Sequence, residues 1–237
     1  MIIAANLKTN LTRAKTLEYV NQVEKFLDAN NISQEVLVFP AASSLNPHAG
    51  KVLIGAQNAY PVKNGAFTGE IGLEHLEEFV IKTILIGHSE RRHILKESQE
   101  LIVQKFNFYS NLGFKIVYCI GEPLEVRESG HTNMMAYLDA QYEGIDTNYE
   151  NLIIAYEPVW AIGTGLTPTL EDIENLHTEL KKKSSAPLLY GGSVKVTNVQ
   201  EVLALSNVDG VLVGSAALYA EHFCSMVDIA QNLENLK

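Results

Sequence analysis

Eight short apolar runs, set apart by helix-like stretches, restrict the folds open to this chain: residues 2–5, 36–39, 52–55, 84–86, 116–120, 152–156, 188–190 and 211–213. In most of them apolar side chains follow one another without alternating, the pattern of parallel strands covered on both faces. Between them, residues 17–27, 100–111 and 170–183 carry amphipathic helical spacing, and Thr169 with Asp172 offers an N-cap for the last of these. A doubly wound open sheet accommodates such alternation. Eight strands within 237 residues point instead to a closed α/β structure, a single-domain (β/α)8 barrel spanning residues 1–237. No Ser/Pro-rich linker or composition shift divides the chain. Residues 39–51 hold Pro40, Pro47, Gly50 and two serines, so the second helix is expected to be short or degraded.

Bulk properties narrow the function. The formal charge is −10 and the basic clusters are short (Arg91-Arg92 and Lys181-Lys182-Lys183), which argues against a nucleic-acid surface. No apolar run approaches the roughly 20 residues that a membrane helix needs. The first eight residues lack the pattern of a secretory signal, and Cys119 and Cys224 match no metal or redox spacing. A reducing cytoplasm is the expected location. An anionic ligand of such a protein must find a local positive pocket.

In a barrel of this kind the site lies at the C-terminal ends of the strands. Asn6 and Lys8 end the first run and share a face, His88 and Glu90 follow the fourth, and Glu157 ends the sixth. Glu157 leads into Pro158-Val159-Trp160-Ala161-Ile162-Gly163-Thr164-Gly165, a small-residue segment with two large apolar side chains. Such a segment suits a lid that packs down, excludes water and raises the basicity of the carboxylate beneath it. His88 stands at the start of a helix, where the local positive potential favours a neutral ring that donates a hydrogen bond. Lys8 is a natural counter-charge for a phosphate and for a developing oxyanion. Tyr190-Gly191-Gly192-Ser193 and Val213-Gly214-Ser215-Ala216 follow the seventh and eighth runs. Their small residues let main-chain N–H groups approach an anion, aided by a short helix after Ser215. Gly163 on the lid offers a third contact. No metal-ligand spacing, nucleotide loop or dinucleotide fingerprint is present, so neither metal nor organic cofactor is expected.

The segments 87–92, 157–165 and 190–193, supported by Gln57-Asn58, residues 65–70 and Cys119-Ile120-Gly121-Glu122, resemble the triosephosphate isomerase family along nearly the whole chain. The resemblance implies a TIM barrel that interconverts glyceraldehyde 3-phosphate and dihydroxyacetone phosphate through an enediol, in glycolysis and gluconeogenesis. It implies Glu157 as the base, neutral His88 as the acid that polarises the carbonyl, Lys8 and Asn6 as charge stabilisers, and the glycine loops as the phosphate cradle. Glu90 and Tyr190 fall in supporting places. It further implies a homodimer, in which the loop from Gln57 to Glu70 braces the neighbouring site and Thr68 reaches across. Four departures from the family pattern stand out: Leu7 and Thr9 flanking Lys8, the short 39–51 region, Pro168 at the second lid hinge, and Ser215 in place of a glycine. Pro168 is expected to stiffen the hinge, and Ser215 to be strained if its φ is positive. Two other readings compete. An aldolase working through a Schiff base needs a lysine where this chain has Glu157. A non-catalytic barrel serving as a binding or surface protein predicts erosion at Lys8, His88 or Glu157, and all three are present.

Overall fold

The computed structural model describes residues 1–162 and 166–236. Eight strands, β1 (Ile2–Asn6), β2 (Glu35–Phe39), β3 (Val52–Ile54), β4 (Thr83–Ile86), β5 (Lys115–Ile120), β6 (Leu152–Tyr156), β7 (Leu188–Tyr190) and β8 (Gly210–Val213), coincide with the eight apolar runs. They form one parallel sheet in the order β3-β2-β1-β8-β7-β6-β5-β4. A single bridge between Ala56 and Ile84 joins its two ends, so the sheet curls into a (β/α)8 barrel. The helices around it are α1 (Arg13–Ala29), α2 (Leu73–Glu78), α3 (Ser89–His93), α4 (Gln99–Ser110), α5 (Leu124–Glu128), α6 (His131–Ala140), α7 (Leu170–Lys181), α8 (Val199–Leu203) and α9 (Ala220–Glu234).

Two apolar cores follow from strand parity. Ile2, Ala4, Leu37, Phe39, Leu85, Val117, Cys119, Ile153, Ala155, Leu189 and Leu212 fill the barrel interior. Their alternating neighbours, Ile3, Ala5, Val36, Val38, Ile116, Tyr118, Ile154 and Tyr156 among them, face the helices. The helices answer with stripes of matching period: Thr16, Tyr19, Val20, Val23 and Leu27 on α1, and Ile173, Leu176, His177 and Leu180 on α7. Because side chains alternate faces along a strand, the inward parity of Ile2 and Ala4 carries on to Asn6. That of Ile153 and Ala155 carries on to Glu157. The site is therefore built by running out of apolar residues at the top of strands whose inward register is already fixed.

Between β2 and β3 only a 3-10 turn, Ala42–Ser44, stands where a barrel helix would pack. The degraded second helix read from the sequence is thus a missing one. In its place the Glu24 carboxylate on α1 accepts the N–H groups of Lys51 (2.8 Å) and Val52 (3.0 Å) and meets His48 Nε2 at 3.0 Å. Thr169 caps α7 in a reciprocal box with Asp172, as its spacing predicts.

Candidate active site

Glu157 follows β6 directly and is pinned on both sides. Its N–H donates to Ile120 O on β5 (2.7 Å), and Gly191 N donates to Tyr156 O beside it (2.7 Å). Glycines permit this closeness: a Cβ on Gly121 would lie 1.8 Å from Glu157 O, and one on Gly191 would lie 3.0 Å from Glu157 Cγ. The carboxylate is 2 % exposed. One oxygen is 3.0 Å from His88 Nε2 and the other accepts the Ser89 N–H at 2.9 Å. Burial pushes its pKa up, but the His88 ring, the Ser89 N–H and the charge of Lys8 push harder the other way, and the net value lies below the ordinary one. Glu157 is thus held ionised in a buried place.

His88 caps α3, and its Nδ1 accepts the N–H of Glu90 (3.2 Å). That bond leaves the ring proton on Nε2, aimed at Glu157. The sequence reading expects the helix end to depress the ring's pKa. Burial does depress it, and so does the charge of Lys8, but the Glu157 and Glu90 carboxylates together outweigh them, so the net shift is upward. The direction is opposite to the one expected from the helix end, because the facing Glu157 carboxylate favours the protonated ring, a partner that a reading of α3 by itself leaves out.

Lys8 adopts a left-handed backbone, φ 52°, unusual for a residue with a side chain. Strain of this kind costs on the order of 1–3 kcal/mol and is found at functional sites. It is held in place by Lys8 N donating to Asn6 Oδ1 (3.0 Å) and by Gln57 Nε2 donating to Lys8 O (2.9 Å) and Phe39 O (2.8 Å). The Lys8 ammonium rests 2.5 Å from Glu90 Oε1.

Asn6, Lys8, His88 and Glu157 line a cavity of about 760 Å³, together with Ser193, Gly214, Ser215 and Ile162. Ser215 opens a 3-10 turn, Ser215–Ala217, and is absent from the residues with positive φ, so the strain considered for it does not arise. Tyr190 is not in the cavity. Opposite parity turns its ring outward, where it packs near Tyr156 and His177 and beneath Gly192. Thr68 is exposed and also lies away from the cavity. Gly163 lies outside the described residues.

Three contributors are plain in the structure though only weakly marked in the sequence. Ser89 acts through its main-chain N–H and Gln57 through a side chain given over to carbonyls. Glu122, fully buried, accepts Tyr156 Oη and Trp160 Nε1, each at 3.0 Å, and so ties the first lid residues to the top of the barrel. Arg127 stacks over Trp160 and reaches Asp172 of the α7 cap, linking that tie to the far side of the lid.

A family model described as triosephosphate isomerase matches residues 1–230. The chain belongs to the triosephosphate isomerase family. A relative of that name from Sulfurimonas denitrificans is 72% identical over 234 residues, covering 99% of this chain and 98% of its own. Those from a Sulfurovum species and from Wolinella succinogenes are 54% and 52% identical, each covering 96% of this chain and 99% of the relative. Family membership makes the chain an isomerase. Among the described residues no helix is long and apolar enough to cross a membrane, and no cluster of His, Cys, Asp and Glu has the arrangement of a metal site.

Proposed function

We propose that the 1–237 chain is one catalytic domain that interconverts D-glyceraldehyde 3-phosphate and dihydroxyacetone phosphate in the cytoplasm, as a step of glycolysis and gluconeogenesis. Glu157 takes a proton from the carbon beside the substrate carbonyl. The electron pair moves onto the carbonyl oxygen, which receives a hydrogen bond from His88 Nε2–H and faces the Lys8 ammonium and Asn6. The enediol then regains a proton from Glu157 at the neighbouring carbon, while His88 moves a proton between the two oxygens. Main-chain N–H groups at Ser193, Gly214 and Ser215, with Gly163 of the lid, hold the phosphate. No cofactor takes part.

The observation that carries this reading is the pairing of Glu157 with His88 and Ser89 inside the cavity. Both partners lower the basicity of the carboxylate. When a substrate oxygen takes over the hydrogen bond from His88 Nε2–H, Glu157 loses that partner. A closed lid removes water as well, and both changes raise its pKa when it must act as a base. Glu157→Gln keeps the volume and removes the base, so kcat should fall by at least about a hundredfold with the fold intact. A coupled assay with glyceraldehyde 3-phosphate, alongside circular dichroism, decides it: near-normal turnover of the variant removes Glu157 from the role.

The working form is a homodimer joined through the loop from Gln57 to Glu70. A cavity of about 300 Å³ beside Lys8, His88 and Glu90, walled by Gln57, Gly69 and Leu95, has room for a loop tip from a second copy. Residues 63–70 are exposed in the single chain, as a loop that reaches outward would be.

A further inference from the structure

The cavity around Glu157 has two lysines among its described lining residues, Lys8 and Lys195. Lys8 stands at the reacting end with its ammonium committed to Glu90 at 2.5 Å. The groups assigned to the phosphate, at Ser193, Gly214 and Ser215, are formally neutral. Lys195 lies two residues past Ser193 and is exposed. Among the described residues no carboxylate comes within 4.0 Å of its ammonium, in a chain of formal charge −10.

Its backbone is fixed relative to the phosphate end by one side chain. Asn198 Oδ1 accepts the Lys195 N–H at 2.7 Å, and Asn198 Nδ2 donates to Ser193 O at 3.1 Å. The N–H groups of Asn198 and Val199 also donate to Lys195 O, at 3.1 Å and 3.0 Å. Ser193 and Lys195 are therefore rooted in one small turn. Glu157, at the base, is the one carboxylate among the described lining residues, so nothing at the phosphate end offsets the lysine.

We propose that Lys195 is a specificity-determining residue for the anionic substrate: its unpaired charge draws the phosphate dianion to the Ser193–Gly214 end and slows its departure. This rests on the isomerase reading of the site. A lysine acts here as a mobile point charge and needs no fixed geometry, and an exposed cation at a cavity mouth acts on capture and release of the ligand and leaves the chemical step alone.

The test compares Lys195→Met and Lys195→Arg with Lys182→Met, an exposed control of equal charge change on the far end of α7. Binding of inorganic phosphate to the resting protein is followed by titration calorimetry, and KM and kcat are measured at about 0.02 M and about 0.3 M ionic strength. In Lys195→Met, the phosphate Kd and the substrate KM rise about threefold to tenfold at low salt, with kcat within about twofold of wild type. Lys195→Arg restores both, and the gap closes at high salt. Unchanged phosphate binding in Lys195→Met overturns the proposal. So does an arginine variant that behaves like the methionine one, or a Lys182→Met that weakens phosphate as much. Phosphate binding is read without turnover, so an inactive protein would count against the isomerase reading and leave this inference separately decided.

Discussion

At the scale of single residues, the groups proposed to meet the substrate and the groups that hold them in place differ in how they are encoded. Asn6, Lys8, His88 and Glu157 are polar side chains where apolar strands end, so the sequence alone points to them. Strand parity carries Asn6, Lys8 and Glu157 inward, while His88 shares the outward parity of Ile84 and Ile86 and enters the cavity beyond the left-handed turn at Gly87. Gln57 gives no such sign, because its amide serves the carbonyls of Lys8 and Phe39, remote in sequence. Gln57→Leu removes both bonds while keeping bulk. Phe39 O keeps the Leu7 N–H (2.9 Å), but the Lys8 carbonyl is left without its donor, which costs about 1–3 kcal/mol and frees the strained turn that aims the Lys8 ammonium. The variant should unfold at lower urea and lose at least about tenfold in kcat/KM, since small misplacements of a charge-stabilising group are expensive. A variant as active as wild type would show that the Lys8 turn holds itself. Ser215 marks the opposite limit of sequence reading: whether a serine is strained at a glycine position is decided by a φ that only the folded backbone supplies.

At the scale of elements, all eight strands and the three amphipathic helices are visible in hydrophobic period, with helix ends shifted by a few residues. The missing helix between β2 and β3 is visible too, through its prolines and glycine. What replaces it is not, because Glu24 works through main-chain N–H groups of Lys51 and Val52, and such bonds leave no pattern of side-chain types. Partial burial raises the Glu24 pKa, yet those two donors and His48 outweigh it and the net value is lowered. A carboxyl whose pKa is lower folded than unfolded stabilises the fold fully above its unfolded pKa, and loses that contribution as pH falls through its folded pKa. Glu24→Gln should therefore be less stable than wild type by about 1–3 kcal/mol at pH 7. The difference should shrink as the pH is taken to about 3. Urea titrations at a series of pH values check this, and a difference independent of pH would mean that the carboxylate's charge is not what anchors the connection.

At the scale of the whole molecule, two closures complete the barrel. The Ala56–Ile84 bridge seals the sheet, and the Met1 amino group meets Glu234 at 2.6 Å, clamping β1 to α9. Neither has a local signature, because each joins segments whose sequences carry no trace of the other. In the loop from Gln57 to Glu70, Gln57 and Asn58 serve the single chain, whereas residues 63–70 stay exposed in it. Phe67 packs on Tyr60 with ring centroids 4.5 Å apart, which stiffens the loop, while the residues at its tip stay exposed. At its base Asn58 Oδ1 accepts from Lys105, whose ammonium is buried against Glu97. The pKa of Lys105 is pulled down to about 7 by burial and then by the nearby Arg91. In the homodimer proposed above, this exposed tip is the part that meets the second copy. The cavity of about 300 Å³ next to Lys8 and His88 is where a second copy's tip would sit. If so, Thr68→Arg puts a bulky charge into that contact, and dissociation and loss of activity should arrive together. Sedimentation velocity should show a monomer at concentrations where wild type is a dimer, with kcat/KM lower by at least about tenfold because the Lys8 and His88 wall is no longer braced. Raising the protein concentration until dimer returns should restore activity in proportion to the dimer formed. A monomeric variant with full turnover would show instead that each barrel holds its own site, and that the loop serves assembly alone.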